Sequence, residues 1–294
     1  MGYGSPGGPD DLAGYLADVL GRPPSPETIE EYRRRYDLIG GSPQNRVIAS
    51  LRAKLEQRLR AGGADTRVYL GTKHWTPRIA EVLPAISADG YDRVIAVPLS
   101  PYASTWIMEP YRRSVEQGRA ATARPLAVDV RAGWHLNSHL IAYWRDAIRA
   151  ESEATDGAVL LSAHSLPKRY ADRGDPYPKL LDATAGTIAT AADLPRWSFT
   201  FQSAGNTTEP WLGPDITDVM LDWKRRGVTD QLVASFGFVF DHLETLYDLD
   251  VVVKGFAGEH GIRYRRVPMP NDDDRIVAAL ADAIQEPPGV PRSA

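Results

Sequence analysis

His164 ends an apolar run, Ala158-Val159-Leu160-Leu161, and is flanked by the hydroxyl residues Ser162 and Ser165. Pro167 follows and cannot continue a strand, so the ring stands at the mouth of a sheet. An imidazole titrates near neutral pH and can take a proton or lend a lone pair to a metal. A second group lies in SFGFVFDHLETLYDLD, positions 235–250. There an apolar run ends near Gly237-Phe238, and Asp241 reads as a helix cap. Glu244 and Asp248 are spaced i,i+4 and share a helix face, with Asp241 a turn back on the same side. Such a line of acids suits passing a cation inward or protons outward; the plainer reading is a cap followed by solvated acids. A third stretch, positions 199–216, sets Trp211-Leu212 between Pro210 and Pro214. That rigid apolar knuckle reads either as an ordered loop or as a wall for a large flat ligand. No GxGxxG, P-loop, HExxH or GxSxG pattern is present, and Ser165 has no oxyanion-hole glycines beside it.

Elements able to hold these groups alternate along the chain. Short apolar runs at 66–71, 92–99, 126–131, 157–163, 197–202, 231–236 and 262–267 read as strands, with amphipathic helical stretches between them. This is the pattern of parallel sheets covered by helices. The alternation occurs twice, which predicts an α/β fold of two Rossmann-like, doubly wound domains, 1–144 and 145–294, with the last helix free to pack back on the first. In such folds ligands bind beyond the carboxyl ends of the strands. That gathers positions 100–105, 164–167, 202–206 and 237–244 around one cleft.

Composition narrows the classes. At 294 residues, 43% hydrophobic and 24% charged, the chain can bury a large core. A net charge of −4 provides no general basic field for nucleic acid or an anionic membrane. With no cysteine, disulfides, thiolate catalysis and an iron–sulfur cluster on protein thiolates are excluded, and a reducing cytoplasm fits. No apolar stretch approaches the ~20 residues that span a bilayer. The opening MGYGSPGGP lacks the basic and apolar segments of a signal peptide and reads as the tail of a strand entering a turn. The native start is therefore expected some residues upstream.

Together LLSAHSLPKRYADRGDPYP, FQSAGNTTEPWLGPD and FGFVFDHLETLYDLD resemble the ferrochelatase family, in its order and spacing. The likeness extends through GYGSPGGPDDLAGYL, YDLIGGSPQNR, YLGTKHWTP and VPLSPYASTW, nearly the whole chain. It implies insertion of ferrous iron into a porphyrin held in a cleft between the two domains, with release of two protons, for haem biosynthesis. His164 and Glu244 would face each other over the centre of the ring as base and metal ligands. Asp248 and Asp241 would lead metal or protons, and Tyr3, Arg35, Tyr36 and Ser42 would contact the porphyrin. Tyr102, His135 and Trp211 are further cleft candidates, and Arg22, Arg33, Arg34, Arg112 and Arg113 are candidate cations for propionates. The branch most resembled is the soluble bacterial one acting on coproporphyrin III, in the cytoplasm. Iron is a substrate there, no cofactor is permanently bound, and an iron donor or haem acceptor protein is a transient partner. The chain departs from that branch at Tyr102, His135, Val252 and the shortened segment around Leu20-Gly21-Arg22. Those departures keep open a chelatase for another metal or tetrapyrrole, or a non-catalytic haem carrier.

Overall fold

A computed structural model describes residues 1–63, 65–152, 157–205 and 207–285. Position 206 of the expected cleft loop and 286–294 of the expected second domain lie outside them. Among the described residues six strands form: β1 Arg93–Ala96, β2 Ala127–Val130, β3 Ala158–His164, β4 Trp197–Gln202, β5 Asp230–Ala234 and β6 Arg263–Arg266. All pairings are parallel, β1 with β2 in one sheet and β4-β3-β5-β6 in the other, as helix-covered β-α alternation requires.

The chain divides into Met1–Trp134 with Asn271–Ala294, and His135–Pro270. This boundary precedes the expected one at 144/145 because helix Ser138–Ser152 buries Leu140, Ile141, Trp144 and Ile148 within the second unit, against helix Tyr177–Ala192 and β5. The last helix, Asp274–Gln285, belongs to the first unit. It packs on helix Gln44–Ala61, with Ser50 donating to Asp272 at 2.5 Å and Lys54 to the Asp272 carbonyl at 2.6 Å.

In the second unit β3 is central, and its Leu160 and Leu161 are fully buried on opposite faces. Beneath one face Ala158, Leu160, Val233, Met220, Leu249 and Ile262 form a continuous core. Gly237 lets the end of β5 close on β3: a Cβ there would lie 2.7 Å from that of Ala163, nearer than packed carbons approach. In the first unit helices Ile79–Ala88 and Thr105–Ala120 meet at Gly118, where a Cβ would lie 2.8 Å from Leu83 Cδ1. The expected strand at 66–71 does not form a ladder. Its residues meet a backbone partner only at the end, where Gly2 N–H donates to Gly71 O at 2.9 Å and Gly2 bridges Thr72. Extended backbone becomes a strand only beside another strand. Among the described residues no helix is long and apolar enough to cross a membrane.

Candidate active site

The backbone of His164 is clamped before its side chain is considered. Ser165 N–H donates to Gln202 O at 2.7 Å, and Ser165 Oγ donates to Leu212 O at 2.8 Å. Tyr177 O–H donates to the His164 carbonyl at 3.1 Å. Tyr177 opens helix Tyr177–Ala192, and its own N–H is held by Asp175 Oδ1 at 2.9 Å. The rigid Asp175-Pro176-Tyr177-Pro178 therefore anchors the end of β3. On the ring, Nδ1 contacts Ser165 O. A carbonyl only accepts, so Nδ1 carries the hydrogen and Nε2 is left for chemistry. Nε2 lies 3.6 Å from Glu244 Oε1.

Glu244 is placed by an unusual cap. His242, not the expected Asp241, occupies the N-cap: its Nδ1 accepts from Glu244 N–H at 3.2 Å, and Thr245 Oγ1 accepts from His242 N–H at 2.9 Å. Asp241 is drawn instead to Arg266 at 3.1 Å. Arg266 also holds Asp250 through two nitrogens, at 2.8 and 2.7 Å. The helix expected over 241–250 runs on to Glu259, through a wide π turn at Asp248–Val253. Such turns collect at functional sites. Asp248 Oδ2 accepts from Ser203 Oγ at 2.5 Å, and Ser203 holds φ at 59°, a left-handed conformation that costs a non-glycine residue roughly 1–2 kcal/mol. Sequence patterns did not signal Ser203; its place just past the end of β4 was the available clue.

His164 is mostly buried and Glu244 is half exposed; what desolvation they suffer works against charge, yet each is held in its charged form. For His164, desolvation is outweighed by Glu244, by the Ser165 carbonyl and by Asp248, so its pKa lies well above 6.5. For Glu244, desolvation is outweighed by His164 and His242, and its pKa falls well below 4.5. His242 is pushed down, chiefly by burial, which suits a nitrogen that must accept from Glu244 N–H.

Trp211 forms an antiparallel bridge with Pro167, and Leu212 N–H donates to Leu166 O at 2.9 Å. The knuckle is thus fastened alongside the His164 loop. Its ring lies on Gly205, where a Cβ would come within 2.4 Å. Tyr102 and His135 are buried, at 1% and 6% exposure. In the first unit Tyr3 is exposed and its ring centroid lies 4.6 Å from that of His74. Arg35 pairs with Glu31 and sits 5.0 Å over the Tyr32 ring; Tyr36 packs on the Leu12–Tyr15–Leu16 cluster. Ser42 Oγ accepts from Gln44 N–H at 3.3 Å, at the start of helix Gln44–Ala61. Of the candidate cations, Arg33 meets Glu30 at 3.5 Å and Arg113 meets Glu109 at 3.7 Å. Lys73 is a cation outside the expected set. Its ammonium lies 5.2 Å from the Tyr3 ring and 5.9 Å from the Tyr111 ring, and burial lowers its pKa.

The chain is similar to known proteins along most of its length. The coproporphyrin III ferrochelatase of Anoxybacillus flavithermus is 35% identical, over 97% of this chain and 93% of the relative. The enzyme of the same name from Bacillus mycoides is 36% identical, over 97% and 94%. Among solved structures, SirB from Bacillus subtilis with Fe3+ superposes with a TM-score of 0.59 at 10% identity, covering 79% of this chain and 86% of that one, a likeness of fold. The ferrochelatase family model matches residues 1–287, and the chain belongs to that family.

Proposed function

We propose that the protein inserts ferrous iron into a porphyrin, coproporphyrin III by preference, releasing two protons, in haem biosynthesis. The observation that carries this reading is the pairing of His164 Nε2 with Glu244 at 3.6 Å, with Nδ1 already committed to a carbonyl. The curated relatives named for coproporphyrin III supply the substrate. A cysteine-free chain fits work in the reducing cytoplasm, and an iron donor or haem acceptor as transient partner belongs to the same reading.

The chemistry follows from charge. At rest the imidazolium and the carboxylate neutralise each other. A divalent cation arriving at Glu244 replaces the attraction that keeps His164 protonated, so the imidazolium gives its proton to solvent, the first of the two released. Neutral Nε2 then accepts a pyrrole proton, and Glu244 with Asp248 offers the exit for the second. Two protein donors hold iron weakly, which suits an ion that must be handed on. Tyr3, Arg35, Tyr36 and Ser42 remain the proposed porphyrin contacts, with Lys73 added as a cation for a propionate.

An anaerobic insertion assay with ferrous iron tests the reading. The expected result is metallation of coproporphyrin III faster than protoporphyrin IX. Turnover only with cobalt or nickel, or tight porphyrin binding with no insertion, would overturn it.

A further inference from the structure

The first unit contains a cavity of about 360 Å³ that Met1 helps to line. Two extended segments wall it, 66–71 on one side and 93–97 on the other. Leu51, Leu55, Leu59, Ile86, Leu280 and Ile284 line its faces. A cavity of ~150 Å³ among such side chains is already large for a packed core.

The first three residues run into this slot as the end of a strand. On one side Met1 N donates to Val97 O at 2.7 Å and Leu99 N–H donates to Met1 O at 2.9 Å. On the other, Gly2 N–H donates to Gly71 O, Lys73 N–H to Gly2 O and His74 N–H to Tyr3 O, at 2.9, 2.9 and 2.8 Å. These are the hydrogen bonds of a parallel bridge on each edge. In a parallel ladder alternate residues bond the same neighbour. Counting back from Gly71, Tyr69 and Arg67 turn their backbone groups toward the slot; counting back from Val97, Ile95 and Arg93 do so from the other side. Val68, of opposite parity, bonds away from it: its N–H donates to Glu56 Oε2 at 2.8 Å and its carbonyl accepts from Arg52 at 3.3 Å. Likewise β1 uses Asp92 O and Ala96 O to meet β2.

We infer that the slot is filled by one further β-strand of this same chain, about five residues preceding Met1, which pairs with 66–70 on one edge and 93–97 on the other. The register given by Gly2 beside Thr72 sets that length, at ~3.3 Å per residue. The occupant belongs to this chain because its backbone enters as the direct continuation of Met1, already hydrogen-bonded on both sides. A strand buried on both faces must be apolar nearly throughout. The chemistry at Met1 points the same way. Burial drives its amine to a pKa of about 5, whereas an amide at that atom would present its one N–H to Val97 O with no charge to desolvate. The order 66–71, the new strand, β1, β2 completes the first sheet and turns 66–71 into the strand its composition predicts.

Intact-mass spectrometry of the protein isolated from its native cell tests this directly. The expected mass exceeds the 32.3 kDa of the 294 residues by at least about five mainly apolar residues. A mass matching a chain that begins at Met1 or Gly2 overturns the inference. A recombinant pair, one starting at Met1 and one carrying the in-frame residues encoded upstream, gives a second readout. The extended chain should melt higher and should lose the fluorescence of an apolar dye that the shorter chain binds. Equal melting and equal dye binding overturn it, as would stabilisation of the shorter chain only through dimer formation. None of these readouts depends on iron or porphyrin, so they stand or fall apart from the proposed activity.

Discussion

Two histidine–carboxylate pairs, one in each unit, sit in opposite states. His74 Nδ1 lies 2.8 Å from Asp18, closer than the 3.6 Å between His164 and Glu244. Yet His74 falls below its ordinary 6.5, through burial aided by Lys73 and Arg78, while His164 rises above it. The difference lies in the company. Asp18 pulls His74 upward but is shared with Arg78 at 2.9 Å, whose charge, with burial and Lys73, outweighs that pull. His164 sees two carboxylates, Glu244 and Asp248. Proximity to an acid does not by itself protonate an imidazole; the sum of nearby charges, set against desolvation, decides. One imidazole is held toward its neutral form and the other toward its charged form.

The comparison breaks most completely at His164. His164→Ala should reduce insertion by roughly 10²–10⁴-fold, the scale of losing a positioned acid–base group, while porphyrin still quenches fluorescence on binding. An initial rate within a factor of about ten of wild type would remove His164 from the chemistry.

Glu244→Gln should cost about 10²-fold in rate at saturating porphyrin and return His164 to a lower pKa, read by NMR titration of the ring. Stability should follow. Glu244 is depressed, so its contribution is present above 4.5 and lost as pH falls through its folded value. His164 is raised, so its contribution is complete below 6.5 and lost as pH climbs through its folded value. The Tm gap between wild type and Glu244→Gln should therefore be widest between those limits and narrow on either side. A gap independent of pH would mean the two do not form an ion pair.

Ser203→Ala removes one hydrogen bond from Asp248 and should lower the rate by a smaller factor, with His164 still protonated at neutral pH; an unchanged rate would mean that this bond does not position Asp248 for the reaction. The mildest change sharpens the contrast. Arg78→Met gives Asp18 back to His74, whose pKa should rise while insertion is unaltered. If His74 did not move, charge-sharing would be the wrong explanation.

The same contrast shows how far local pattern reaches. β3 and β4 were legible because an apolar run closed by proline or a polar turn is a short-range signal. The strand at 66–71 had the same signal and formed no ladder, since pairing needs a neighbour that composition cannot supply. Asp241 looked like a cap because aspartate before a helix usually is one. Arg266 outbids that role, and His242 takes the cap. Lys73 lay inside YLGTKHWTP, but nothing in its neighbours announces a cation placed against two tyrosine rings.

By itself the amino-acid sequence determined a parallel α/β chain with His164 at a strand end and Glu244 at a helix start, because apolar runs, prolines and helix beginnings act over a few residues. Tertiary structure alone decided which charges meet: Asp248 with Ser203, Asp241 with Arg266, Asp18 with both His74 and Arg78. Those choices set the protonation of each imidazole. They depend on segments far apart in the chain being packed to within a few ångströms, where Coulomb energies and desolvation become large enough to compete.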